Sequence, residues 1–219
     1  MSRIILDFGS ATTCKNDKEY IKRMIDELAT VDSRKHEVII KWQLFEAPCE
    51  VLDPPVVPLK RELFKYAYDY AKEKGYQTTA SVFDLDSLNY LLTYPISFVK
   101  LANRPDLYWL TGEVPRKIPV YVSVSSYDSS KVRTPFGANV KLMCVSKYPA
   151  NIKEYEKDFF AYLDTKCLGY NDISDHTTTF EFYNKYQPKI VEWHYKLSDS
   201  TGYDAGEFAR TPEQLREIL

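Results

Sequence analysis

What constrains this chain most is an alternation of two kinds of segment. Short runs rich in β-branched and aromatic residues occur at RIILDF (3–8), EVIIKWQLF (37–45), QTTASVF (77–83), ISFVKLA (96–102), IPVYVSV (118–124), VKLMCVS (140–146), LGYND (168–172) and KIVEWHY (189–195). Between them lie stretches whose apolar residues recur three or four apart, clearest at 16–31, 58–75 and 152–166. A strand with one wet face alternates apolar with polar side chains, whereas most of these runs are too apolar for that. Strands covered on both faces and separated by amphipathic helices imply a parallel sheet with helical crossovers.

Eight such units in 219 residues leave about 27 residues each, which suits a (β/α)8 TIM barrel. The expected architecture is therefore α/β, a single barrel domain over residues 1–219. Its fifth helix should be degenerate, because SSYDSSKVRTPFGAN (125–139) lacks helical spacing. An open doubly wound sheet is the competing arrangement, but the chain has neither GxGxxG nor GxxxxGK[ST] to support a nucleotide site. The proline-rich EAPCEVLDPPVVP (46–58) reads as an extended loop after the second strand.

Charge removes several partners. With 29 basic and 31 acidic residues the net charge is −2, so no broad positive field exists for nucleic acid or an anionic membrane. Four cysteines without CxxC spacing read as reduced thiols, and MSRIILDFGS is neither a signal peptide nor a membrane span. The expectation is a soluble cytoplasmic protein.

In parallel barrels chemistry gathers at the C-terminal strand ends. There the first strand offers Asp7, the second Lys41 and Gln43, the third Ser81, and the fourth Lys100 and Asn103. Ser123 follows on the fifth, Ser146 and Tyr148 on the sixth, Ser174 and His176 on the seventh, and Glu192 and His194 on the eighth. Lys41 and Lys100 interrupt apolar runs, and a buried ammonium needs a partner. Each either snorkels, pairs with an internal carboxylate, or meets an anionic ligand; together with the hydroxyls they favour the anion. His176 and His194 are two of only three histidines. Both are either hydrogen-bonded structural residues or, on neighbouring strands, two ligands of a divalent metal, with Asp175 or Asp204 fixing the tautomers.

The pieces KWQ (41–43), SVFD (81–84), KLAN (100–103), PVYVS (119–123), CVSKYP (144–149), SDHT (174–177), VEWHY (191–195) and GYD (202–204) resemble the catalytic barrel of the sialic acid synthase family. That family comprises N-acetylneuraminate, legionaminate and pseudaminate synthases, which join phosphoenolpyruvate to an N-acetylated hexosamine. The resemblance implies that His176 and His194 bind the metal, Mn2+ by family habit, and that Lys41 and Lys100 grip phosphoenolpyruvate with Ser81, Ser123, Ser146 and Ser174. It places Gln43, Asn103, Tyr148 and Asp204 toward the substrates, and Glu192, Asp7 and Lys100 in the chemistry. The chain also departs from the family pattern: Asp7 stands for a glutamate, Ser81 for a threonine and Asn103 for a serine, and family glycines after the fourth and fifth strands are absent. The family continues into a small antifreeze-like domain, whereas the resemblance here ends at Leu219. A homodimer and a separate antifreeze-like lid protein are the partners this implies. Two other readings stand beside the synthase: another metal-dependent barrel enzyme on sugars, isomerase-like, and a non-catalytic barrel used for binding.

Overall fold

The computed structural model describes residues 2–48, 55–125, 139–145, 150–157 and 180–219. Seven strands form one sheet: β1 (Arg3–Asp7), β2 (Glu37–Leu44), β3 (Gln77–Val82), β4 (Val99–Leu101), β5 (Val120–Val124), β6 (Asn139–Met143) and β7 (Ile190–His194). Every pairing is parallel, in the order β6-β5-β4-β3-β2-β1-β7. The chain adds one strand at a time from β1 to β6, and the last strand docks on the other side of β1. That is the winding of a nearly closed α/β barrel, not of a doubly wound sheet. β7 is the strand expected eighth; the expected seventh (168–172) and the connection at 126–138 lie outside the described residues.

The helices α1 (Ala11–Cys14), α2 (Lys18–Val31), α3 (Arg61–Glu73), α4 (Leu85–Leu91), α5 (152–157), α6 (Phe180–Tyr186) and α7 (Pro212–Leu215) follow from local chemistry. Asp17 starts α2 by accepting the Tyr20 N–H at 2.7 Å, and Asp84 starts α4 by accepting that of Ser87 at 2.7 Å. Thr211 and Gln214 close a reciprocal capping box on α7. Helix α2 buries Tyr20, Ile21, Met24, Ile25, Leu28 and Val31, the stripe its spacing predicts. After β4, Pro105 opens a 3-10 helix (Pro105–Gly112) in place of an α-helix. None of the described helices is long and apolar enough to cross a membrane.

Two apolar layers flank the sheet. Ile4, Leu6, Val38, Ile40 and Trp42 face outward onto Ile21, Met24, Leu28 and Phe64 of the helices. Ile5, Ile39, Phe98, Tyr121, Leu142 and Ile190 pack together on the inner face as a floor. Side chains on one face of a strand recur every second residue. The next inward positions toward the C-terminal ends are therefore Asp7, Lys41, Lys100, Ser123, Cys144 and Glu192, so the floor places a polar layer directly above itself.

Candidate active site

Glu192 lies at the centre of that layer. Its Oε1 is 3.2 Å from Lys41 Nζ and its Oε2 is 3.3 Å from Lys100 Nζ. Lys41 Nζ is also 2.8 Å from Asp7 Oδ2 and donates to Ser81 Oγ at 2.8 Å. Lys100 Nζ donates to Ser123 Oγ at 2.8 Å and to the Leu101 carbonyl at 2.9 Å. The side chains of Asp7, Lys41, Lys100 and Glu192 are 0% exposed. Each of these two ammoniums has three protein oxygens within 3.3 Å. The sequence reading expected two cations facing an incoming anion; the structure places both where expected and gives them internal carboxylates, the paired alternative.

The two amines differ in their surroundings. Burial lowers the proton affinity of Lys41, but the charges of Asp7 and Glu192 more than offset it and hold its pKa above the usual lysine value. Burial also acts on Lys100; Glu192 opposes it, the nearby Lys41 charge adds to it, and the pKa falls below the usual value. Lys41 is the fixed cation, and Lys100 is the one that more readily releases a proton.

A second cluster adjoins the first because parallel register sets Asp7 opposite both Lys41 and His194. The Gly9 N–H and Gln43 Nε2 each donate to Asp7 at 3.0 Å. His194 Nδ1 lies 3.6 Å from Asp7 Oδ2 and 3.8 Å from Asp204 Oδ1. These are electrostatic distances rather than hydrogen bonds. Phe208 stands edge-on to the imidazole, with ring centroids 5.1 Å apart at 64°. An imidazole whose Nδ1 faces carboxylates would ligate a metal through Nε2.

Burial, reinforced by the charge of Asp7, pushes the Asp204 carboxyl up to about 7, against the Gln43 hydrogen bond and the Lys41 charge. Between pH 4 and 7 the folded protein therefore holds a proton that the unfolded chain has lost. Stability falls as pH rises through that window, by at most about 4 kcal/mol. In EDTA, Asp204→Asn is expected to be more stable than wild type at pH 8 and to lose that advantage by pH 4, as read from urea midpoints. An unchanging difference across that range would contradict the assignment.

Gln43 is half-buried beside Asp7, and Asn103 accepts a hydrogen bond from Tyr108 OH at 3.1 Å. Tyr108 OH also lies 3.0 Å from the Ser123 carbonyl and so ties the ends of β4 and β5. Ser146, Tyr148, Ser174, Asp175 and His176 lie outside the described residues. Among the described residues no group of three or more His, Cys, Asp or Glu side chains could hold a metal. Sequence reasoning missed Asp7 as the nearer carboxylate to His194, and it missed the bridging position of Glu192. Both follow from the inner-face alternation once the register is known.

Fold and layer together define a class: an α/β barrel with a buried lysine, carboxylate and serine constellation at its C-terminal strand ends. The solved structures it resembles include the following three. An N-acetylneuraminic acid (sialic acid) synthetase from Leptospira borgpetersenii, in complex with citrate, superposes with a TM-score of 0.76 at 22% identity, over 98% of this chain and 80% of that one. A spore coat polysaccharide biosynthesis protein E from Chromobacterium violaceum gives 0.81 at 17% identity, over 99% and 72%. Its counterpart from Bacillus subtilis gives 0.71 at 20%, over 99% and 65%. Likeness at these identities establishes the fold. No family model and no curated protein matches the chain.

Proposed function

We propose that this barrel condenses phosphoenolpyruvate with an N-acetylated amino sugar to give a nonulosonic acid and phosphate. The observation that carries this reading is the Lys41, Glu192, Lys100 bridge, with Ser81 and Ser123, set at the C-terminal strand ends of a barrel shared with a sialic acid synthetase. Lys41 and Lys100 neutralise the ligand's phosphate and carboxylate, and Ser81 and Ser123, with Ser146 and Ser174, donate to its oxygens. Because both ammoniums already have acceptors, the arriving anion displaces Glu192 from at least one of them. The freed carboxylate then stands beside the reacting carbons, where it manages protons. Carbon 3 of the enol ester bonds to the aldehyde carbon as the aldehyde oxygen takes a proton; water adds at carbon 2 and gives up a proton, and the resulting carbon 2 hydroxyl loses its own as the carbon 2–oxygen bond to phosphate breaks, leaving a ketone and phosphate. By the resemblance Gln43, Tyr148 and Asp204 are assigned to the sugar and Asn103 to substrate binding, while Asp7 anchors Lys41 and sets a negative charge beside His194.

A divalent metal, Mn2+ by resemblance, would be held by His176 and His194, and it would supply Lewis-acid polarisation of the aldehyde. The orientation of His194 suits that role. A homodimer and a separate antifreeze-like lid protein belong to the same proposal, and light scattering and lid-dependent turnover test them.

One observation favours a second reading. Each ammonium is surrounded by protein oxygens, internal carboxylates among them, as it would be in a barrel that only binds or supports. The deciding assay is phosphate release from phosphoenolpyruvate with N-acetylmannosamine and bacillosamine-type sugars. Release that requires the sugar, with about one metal per chain lost in His194→Ala, is the expected result. Bound metal without release would point to an isomerase-like enzyme; neither metal nor phosphoenolpyruvate affinity would point to a binding module.

A further inference from the structure

Asp204 reaches His194 not from a strand but from a single 3-10 turn (Tyr203–Ala205) within the loop after β7, so that loop must be held in place. Its base is closed by backbone bonds: Arg210 N–H donates to the His194 carbonyl at 2.7 Å, and Lys196 N–H to the Arg210 carbonyl at 3.0 Å. Two glycines let it pack. A Cβ on Gly202, at φ +94°, would lie 2.5 Å from Thr12 Cγ2, and one on Gly206 would lie 2.5 Å from Phe208 Cε1. On the opposite side, a Cβ on Gly9 would meet the Asp204 Cβ at 3.1 Å. The loop is thus packed against Thr12 and the turn after β1, with Phe208 folded back onto Gly206.

Across its middle reaches one side chain. Lys196 Nζ, partly buried, donates to the carbonyls of Ala205 at 3.0 Å and Gly206 at 2.9 Å. Those carbonyls belong to the two residues directly after Asp204, and Phe208 follows two residues later. We infer that Lys196 is a positioning residue: by gripping these carbonyls it holds Asp204 and Phe208 against the His194 imidazole. Charge-assisted bonds to two carbonyls suit this task; an apolar replacement takes the ammonium from the Ala205 carbonyl and leaves the Gly206 carbonyl with the Ala209 N–H at 3.0 Å. The effect on turnover rests on the synthase reading; the geometric role does not.

The chain has three histidines, so their imidazole 15N and 1H resonances can be assigned by substitution in EDTA-treated full-length protein. In Lys196→Met the His194 resonances are expected to move. Those of His36, whose Nδ1 accepts the Ser2 N–H at 3.1 Å before β2, are expected to stay. Lys196→Arg, which keeps two donors, is expected to restore His194. If the synthase reading holds, Lys196→Met raises KM for the sugar about tenfold and leaves KM for phosphoenolpyruvate unchanged. Displaced His194 signals in Lys196→Met, with no turnover in the wild type, would overturn the synthase reading and uphold the positioning role. Unmoved His194 signals in Lys196→Met would overturn the positioning role, whatever the turnover. Should the methionine variant not fold, Lys196→Gln is read by the same criteria.

Discussion

Lys41→Met is expected to lower folding stability at pH 7 by about 3–5 kcal/mol, the range for breaking a buried ion pair from one side. Methionine fills much of the space, so packing loss is minor. The damage comes from Asp7 and Glu192, both wholly buried, which lose the cation at 2.8 and 3.2 Å. Part of the loss should be recovered when Glu192→Gln is added, because the neutral amide no longer needs that charge. The deficit should also shrink toward pH 4 as carboxylates take up protons. Lys100→Met is expected to be milder, since burial and Lys41 already lower its hold on a proton. Urea titrations of the three single variants and the double variant measure all of this. A Lys41→Met cost below about 1 kcal/mol would mean the buried bridge does not form.

Glu192→Gln alone should separate binding from chemistry. Glutamine keeps the shape and removes the charge that competes with an anion for both ammoniums. A unit charge about 4 Å away is worth a few kcal/mol at an effective dielectric of 20. Phosphoenolpyruvate is therefore expected to bind about 10- to 100-fold more tightly. Turnover is expected to fall about 10²- to 10⁴-fold, since the group that manages protons is gone. Equal losses in affinity and turnover would instead make Glu192 a ligand-binding group. Full activity would remove it from the site.

Much of the scaffold was legible because each strand advertised itself. RIILD and EVIIKWQL carry apolar residues on both faces, and the structure gives both faces a core, an outer layer under the helices and an inner floor. The interruptions at Lys41 and Lys100 marked the polar layer correctly. Their partners were harder to read. Asp7 and Glu192 are remote from the lysines in sequence, and which inward side chains meet depends on strand register, which a one-residue slip would reverse. After β4 a proline opens a 3-10 helix that brings Tyr108 OH to Asn103 and the Ser123 carbonyl, a placement no periodicity in the segment announces. Lys196 had no signal at all, because an ammonium that holds backbone carbonyls leaves no motif.

The identity of the buried layer as a phosphoenolpyruvate site can be measured without any sugar. Calorimetric titration of phosphoenolpyruvate into the wild type and Lys100→Met, in two buffers of different ionisation enthalpy, reports affinity and proton exchange together. Binding of one equivalent, an affinity at least about 100-fold weaker in the variant, and a buffer-dependent heat from proton exchange at Lys100 and Glu192 are expected. No binding to the wild type, or equal binding to both proteins, would contradict the assignment.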